Sequence, residues 1–514
     1  MGVLFNILTL KMKQLVGKVV SNIKLVLKLG AGFFADAYDL FVIDIVLSIL
    51  QEQAAVDGSG MGFSTSAKSL IASATSIGAV VGMLVFGVIG DRLGRRTGVL
   101  ITGCLVAIGS VLSSLCFRSE TVSLMTQMTI YRTLLGVGIG GEYPLSASMA
   151  SESSEAKVRG RVVAGVFAMQ GLGMLFSSLL GYLLVESFGA DLEFTWRFLL
   201  AFGAVPAIVA LYFRFRMHPH KPSHGEGSGR VDVAATFNLN ERGETESIWK
   251  SIGNALKEYR IPLIATCAAW FLLDITFYGT GEFKHSVSNE LFPENADLNA
   301  QQRVASDALF GIIISSISLP GYICSCIFID RIGRWRLQVY GFIAMTVVYL
   351  GMAVAISQNS PSSLNLFIFG LTFFFTNFGP NCTTFIIPSE IYPSSVRATC
   401  HGLSAAFGKV GAIVGAAGFP ACIEALGLDG VMYVCAGVAV AGLLVTLGLL
   451  DRKLVEKAAS RPREMIVGDD SEASSAVSST PKKLALRDLS LETDNKTSAE
   501  SDSCPPSRVV SSIV

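Results

Sequence analysis

Long apolar runs recur along this chain with short polar punctuation between them. Each run is about as long as a helix needs to cross a hydrocarbon core roughly 30 Å thick. Twelve can be counted, at about 27–50, 68–90, 98–117, 121–149, 161–185, 196–214, 260–281, 307–329, 337–357, 364–388, 401–424 and 429–450. In lipid a lone segment satisfies its own backbone only as a helix. The pattern therefore predicts an all-α membrane protein with twelve transmembrane helices.

Two short runs occur twice and divide the chain into halves. GDRLGRR (90–96) follows the second apolar run and IDRIGRWR (329–336) follows the eighth. Glu152 precedes Arg159, and Glu390 precedes Arg397, at equal spacing and nearly the same offset between copies. Matching loops at matching offsets predict two six-helix pseudo-symmetric lobes, as expected for a transporter built by duplication. The expected organisation is a cytoplasmic amphipathic N-terminus over 1–25 and a lobe over 26–215. A cytoplasmic linker over 216–258, a second lobe over 259–452 and a disordered cytoplasmic tail over 453–514 follow. The linker begins near HPHKPSHGEGSG, whose Gly, Pro and Ser content suits a flexible connection. Residues 6–28 alternate Lys with Leu, Val and Ile, which suits a helix lying on an anionic inner leaflet. In the tail, Ser471, Ser474, Ser475, Ser478 and Ser479 are candidate phosphate acceptors, the plainer reading being a solvated tail.

Composition agrees with lipid: 16% of residues are charged and the mean hydropathy is +0.54, against about 25% charged for a soluble domain. Net charge is zero, which gives no case for a nucleic-acid partner. Where the charge lies says more. Lys11, Lys13, Lys18, Lys24 and Lys28 precede the first run. Arg92, Arg95 and Arg96 follow the second, and Arg331, Arg334 and Arg336 follow the eighth. The alternate loops carry Glu52, Asp57, Asp191, Glu193, Glu290, Glu294 and Asp297. Basic loops stay cytoplasmic, so both termini are expected inside, with the plasma membrane as the default location. The ten cysteines show neither a disulfide framework nor metal-ligand spacing. No P-loop is present and no residue set suggests covalent catalysis, so a carrier rather than an enzyme is expected, without cofactor or metal.

The paired loops have a mechanical reading. Asp91, Arg92 and Arg95, with Asp330 and Arg331 in the second copy, can pair with charges on neighbouring helix ends and hold a gate shut. Glu152, Arg159, Glu390 and Arg397 are expected in the same latch. These loops, with Arg132…Gly136-x-Gly138-x-Gly140, resemble the major facilitator superfamily. FFADAYDLFVID (33–44), GIGGEYPLSASMASE (138–152), WFLLDITFYG (270–279) and NFGPNCTTFIIPSEIYPSSVRATCHGLSAAFGK (377–409) narrow the resemblance to the phosphate:proton symporters of plants and fungi, over roughly residues 26–455.

An ionisable residue at the centre of a membrane helix costs about 2.5–3.5 kcal/mol on insertion scales, so it usually faces a cavity and works there. Asp36, Asp39, Asp44, Glu142, Asp274 and Lys409 are such residues here. Trp270, Asp274 and Tyr278 are spaced i, i+4, i+8 and share one helical stripe. With Tyr143, Gln170 and Asn381 they form a set of hydrogen-bond donors around a few carboxylates. Dihydrogen phosphate suits that mixture, since its oxygens accept while its own hydroxyls donate. Asp274 can accept from a phosphate OH, whereas sulfate at neutral pH has no proton to offer.

The resemblance implies the same residues position by position: Tyr143, Gln170, Trp270, Asp274, Tyr278 and Asn381 for phosphate, Asp36 and Asp39 for the proton, and Lys409 as supporting charge. Asn377, one turn before Asn381, competes for its place. One position departs: the family's GGDYPLS reads GGEYPLS here, placing Glu142 among the candidate proton carriers and admitting an organophosphate such as a glycerophosphodiester. The expected function is import of phosphate with protons by alternating access. Sodium coupling, a sugar or organic-cation carrier and a non-transporting nutrient sensor are the other readings.

Overall fold

The structure, a computed structural model, describes residues 2–56, 65–117, 122–189, 191–216, 248–282, 284–292 and 298–462. The first half contains α1 (Gly2–Val56), α2 (Thr65–Leu93), α3 (Arg95–Ser114), α4 (Leu124–Ser153) and α5 (Arg159–Phe188). Its sixth span is made of α6 (Leu192–Phe202) and α7 (Ala204–Phe215). Helix α8 (Ile248–Glu258) leads into α9 (Arg260–Gly281), the short α10 (Lys284–Leu291), α11 (Ala300–Ile332) and α12 (Arg334–Ser357). A broken span of α13 (Ser362–Asn377) and α14 (Pro380–Ile391) follows, then α15 (Arg397–Leu449) and α16 (Arg452–Ala459).

Among the described residues, nine helical segments are long and apolar enough to cross a membrane. One of them, α15, runs for 53 residues and bends at Gly427, whose φ of 72° splits it into two spans. Helices α1 and α4 fall outside that group because they carry buried charges: Asp36, Asp39 and Asp44 on the first, Arg132 and Glu142 on the second. Counted this way the spans are the twelve that the hydropathy pattern gives, and the protein is an all-α membrane protein.

Close helix approach in lipid depends on small residues, because apolar side chains gain little by leaving lipid for one another. Gly78 and Gly82 of α2 face Gly136 and Gly140 of α4. A Cβ on any of the four would stand 1.9–2.2 Å from a carbonyl oxygen of the other helix. The two halves meet along α2 with α15 and along α5 with α11. Each repeated loop turns on a glycine in a conformation that other residues rarely adopt, Gly94 at φ 91° and Gly333 at φ 92°. These turns start α3 and α12 in the same way in both halves.

Helix α1 runs without a break from Gly2 into the first span, so the basic N-terminal stretch continues that helix. Most of the linker, 217–247, lies outside the described residues, as do the tail from 463 onward and its serine cluster. The end of the linker is the helix α8, and the beginning of the expected tail is α16.

Candidate functional site

The helical stripe on α9 is buried along its length, with Trp270, Asp274 and Tyr278 each no more than 2% exposed. Lys409 reaches it from α15, donating to the Tyr278 hydroxyl and lying 3.4 Å from Asp274 Oδ2. The ammonium stands 3.8 Å from the centre of the Tyr278 ring and 5.2 Å from that of Tyr143, which belongs to the other half. Tyr143 and Trp270 face each other with ring centres 6.3 Å apart. Five of the expected residues therefore converge at the seam between the halves.

Asn381 and its competitor Asn377 turn out to be neighbours in one hydrogen-bonded chain. Asn381 Nδ2 donates to Asn377 Oδ1 at 2.7 Å and to the Tyr322 hydroxyl at 3.3 Å. Asn377 Nδ2 in turn donates to Ser318 Oγ at 2.7 Å. The break at Gly379-Pro380 makes Asn381 the second residue of α14, and the start of a half-helix is a favourable place for an anion. Gln170 on α5 is buried, and its Oε1 has no hydrogen-bond partner among the described residues. It lies one turn beyond Phe167, whose ring is 6.0 Å from Tyr322.

Aromatic layers close this polar region on both sides. Toward the repeated loops, Phe385 packs against Phe167 at 4.7 Å, Phe33 at 5.2 Å and Tyr143 at 6.1 Å, joining three helices of the first half to α14. Toward the opposite end, Phe41 stacks on Tyr278 at 6.1 Å, and Phe277 joins Phe41 to Phe373. The sequence offers no means of choosing these rings from its 32 phenylalanines.

The expected proton carriers occupy the first half. Asp39 Oδ2 accepts from Ser110 Oγ at 2.9 Å, while Oδ1 has no partner among the described residues. Gly203, at the joint of α6 and α7, leaves room for that carboxylate: a Cβ there would stand 2.0 Å from Asp39 Oδ1. Arg132, fully buried on α4, donates to the Asp39 carbonyl. Asp36 lies one turn earlier, with Oδ2 likewise unpartnered.

Glu142 is differently placed. Both its carboxylate oxygens accept from Arg214 of α7, and Oε1 also accepts from Thr102 at 3.0 Å. Both partners of the ion pair are 1% exposed. Gly32 of α1 makes the space, since a Cβ there would meet both Arg214 and Glu142. Glu142 thus points into the interior of the first half, between α1, α3 and α7, while Tyr143 beside it faces the seam. Arg214 escapes sequence reading because it sits at the end of an apolar run and passes for a boundary charge. Arg132 stands in a motif that reads as a mark of the fold.

The repeated loops form two matching ion-pair clusters at one end of the seam, where the sequence expects a latch. Arg95 pairs with Asp91 at 3.1 Å and Glu152 at 3.0 Å, and Arg334 pairs with Asp330 at 3.0 Å and Glu390 at 2.8 Å. Each aspartate also caps a helix of the opposite half. Asp91 accepts from the N–H groups of Ala398 and Thr399 at 3.1 and 2.7 Å, and Asp330 from that of Arg161 at 3.1 Å. Glu152 reaches across to Arg397 at 3.0 Å, and Arg95 to the carbonyl of Ser394 at 2.8 Å. Arg159 donates to the carbonyls of Arg461 and Pro462, just beyond α16. Arg92 is half-buried in the last turn of α2. Arg331 lies exposed, and the latch arginine of its copy is Arg334.

At the opposite end the halves are tied again, in pairings the sequence does not reveal. Glu52 pairs with Arg303, Ser48 donates to Asp307 at 2.7 Å, and Asp44 lies 3.8 Å from Lys284. The polar region is therefore enclosed from both ends.

Comparison with known proteins bears on this arrangement. The family model described as Major Facilitator Superfamily matches residues 29–416. The chain is 33% identical over 458 residues to the probable inorganic phosphate transporter 1-6 of Arabidopsis thaliana, covering 81% of this chain and 89% of that one. It is 34% identical over 496 residues to inorganic phosphate transporter 1-1 of Oryza sativa subsp. japonica, covering 86% and 94%. Among solved structures, the xylose transporter XylE from E. coli in a partially occluded inward-open conformation superposes with a TM-score of 0.64 at 18% identity, covering 84% and 98%. The proton:xylose symporter XylE bound to 6-bromo-6-deoxy-D-glucose gives 0.63 at 18%, covering 84% and 96%. At such identities the structural likeness concerns the fold.

Proposed function

The chain belongs to the Major Facilitator Superfamily, among its inorganic phosphate transporters, and from that premise we propose that it imports inorganic phosphate together with protons by alternating access. The observation that carries this reading is the buried polar cluster at the seam, taken here as the phosphate chamber, where Lys409 bridges Asp274 and Tyr278 close to the Tyr143 ring. One cation, several neutral donors and one carboxylate match an anion that still bears protons. Trp270, Tyr143, Tyr278, Asn381 and Gln170 are the groups for its oxygens, and Asp274 is the acceptor for its OH. Phosphate entering there competes with Asp274 for Lys409, and its own OH takes over as the donor to that carboxylate.

Asp39 and Asp36 are the proton carriers in this reading. Each holds a carboxylate oxygen without a hydrogen-bond partner among the described residues, and protonation lowers the cost of a charge kept from water. Glu142 is assigned a different part. Paired with Arg214, it serves as a fixed counter-charge, which removes it from the chamber and with it the ground for preferring a phosphodiester.

The basic loops favour a latch on the cytoplasmic side, with the Glu52–Arg303 tie outside and both termini inside a plasma-membrane carrier. Import then needs the outer tie to open and close around phosphate before the latch releases. Asp91→Asn tests the latch by weakening the acceptor for two α15 N–H groups. A helix cap is worth about 1 kcal/mol, so the population open to the cytoplasm is expected to rise about fivefold. Spin labels at the exposed Leu93 and Arg331 read that population as a longer distance. An unchanged distance distribution would count against the latch.

A further inference from the structure

The stripe of Trp270, Asp274 and Tyr278 has a fourth member one turn further on. Glu282 caps the C-terminus of α9, its N–H bonded to the Tyr278 carbonyl at 3.0 Å. Its side chain is 4% exposed, and Oε2 has no hydrogen-bond partner among the described residues. The neighbouring Gly281 is surrounded by the rings of Phe41 and Phe373, a setting in which an apolar side chain would be cheaper.

Charged and titratable groups face Glu282 from each element around it. Lys409 comes from α15, Arg132 from α4, Asp44 from α1 and Lys284 from α10, with Asp274 and Tyr278 on its own helix. The two cations matter most. Lys409 is the cation of the phosphate chamber, held by Asp274 and Tyr278. Arg132 belongs to the other half, bonds the Asp39 carbonyl and faces the Asp39 carboxylate and Tyr38. Glu282 is electrostatically coupled to both.

We propose that Glu282 links phosphate occupancy in one half to protonation of Asp39 in the other, a positioning role that rests on the phosphate:proton reading above. When phosphate draws Lys409 toward itself, Glu282 loses part of its cationic surroundings and takes a larger share of Arg132. Arg132 then offers less to the Asp39 carboxylate, which accepts a proton. Linkage makes the effect mutual: protonation of Asp39 strengthens phosphate binding by the same factor.

The test is the half-saturating concentration of dihydrogen phosphate for uptake in acidic and alkaline medium, for wild type and Glu282→Gln. The wild-type value is expected to fall at least about fivefold on acidification, the lower end of coupling between two sites, and that of Glu282→Gln less than about twofold. Glu282→Ser carries the same expectation should the Gln variant fail to reach the membrane. Glu282→Asp, which keeps the charge, is expected to restore the dependence, an outcome that a purely structural role would not give. Retention of the full wild-type dependence by both neutral variants would overturn the proposal. So would a wild type that takes up phosphate with a half-saturation unaffected by pH. A wild type carrying no phosphate at any pH would overturn the substrate reading, and this inference with it, and is told apart by the wild-type result alone.

Discussion

Arg214→Met is expected to destabilise the folded protein by about 3–5 kcal/mol, the usual cost of leaving one member of a buried ion pair without its partner. Glu142 is 1% exposed in the interior of the first half, and its remaining polar contact there is with Thr102. Glu142→Leu removes the bonded partner of Arg214, leaving it the Val99 carbonyl at 3.2 Å and the charge of Asp36 nearby. The double variant Arg214→Met/Glu142→Leu removes both charges and is expected to recover most of the loss, because an apolar pair of similar volume commonly equals a buried ion pair. Thermal unfolding of the purified protein in detergent reads all three variants. Single variants as stable as wild type, or a double variant worse than either, would show that the pair does not hold this region together.

Asp274→Asn is the second large effect, and it falls on transport instead of stability. A hydrogen bond to a charged group is worth about 1.5–3 kcal/mol, so apparent affinity for phosphate is expected to drop about 10- to 100-fold. The fold should survive, for a reason specific to the site. Lys409 keeps its bond to the Tyr278 hydroxyl and its place over two tyrosine rings, and the Asn carbonyl can still accept from the ammonium. In the proposed cycle the chamber also opens to water, unlike the Arg214–Glu142 pair. Uptake assays on protein of normal abundance at the membrane separate the two effects. Full uptake by Asp274→Asn would sink the idea that this carboxylate accepts from a phosphate OH.

The span pattern and the duplication were legible because both depend on local composition and spacing. Twelve apolar runs and two copies of a charged loop need no knowledge of tertiary contacts. The stripe on α9 was legible for the same reason, since i, i+4, i+8 fixes one face of a helix whatever packs against it. It could have been followed one turn further to Glu282, where the apolar run ends and a charge looks ordinary. Residue partners were not legible. Adjacent positions on a helix point about 100° apart, so Tyr143 and Glu142 look equally placed in GGEYPLS, yet one faces the seam and the other the Arg214 side of its own half. In the latch, the repeat does carry Arg95 onto Arg334, each four residues after its aspartate, but only the fold shows that Arg334, and not the adjacent Arg331, meets Asp330 and Glu390. The Phe385 and Phe41 layers were hidden by abundance. A ring becomes a seal only through neighbours far away in sequence.

The most direct measurement is uptake of radiolabelled phosphate by cells that lack their own phosphate uptake and express this chain, in acidic and alkaline medium, with and without a protonophore. Uptake favoured by acid and abolished by the protonophore is expected. Phosphate uptake that ignores the protonophore and follows sodium would contradict proton coupling. No phosphate uptake, with uptake of a glycerophosphodiester in its place, would contradict the assignment of the chamber itself.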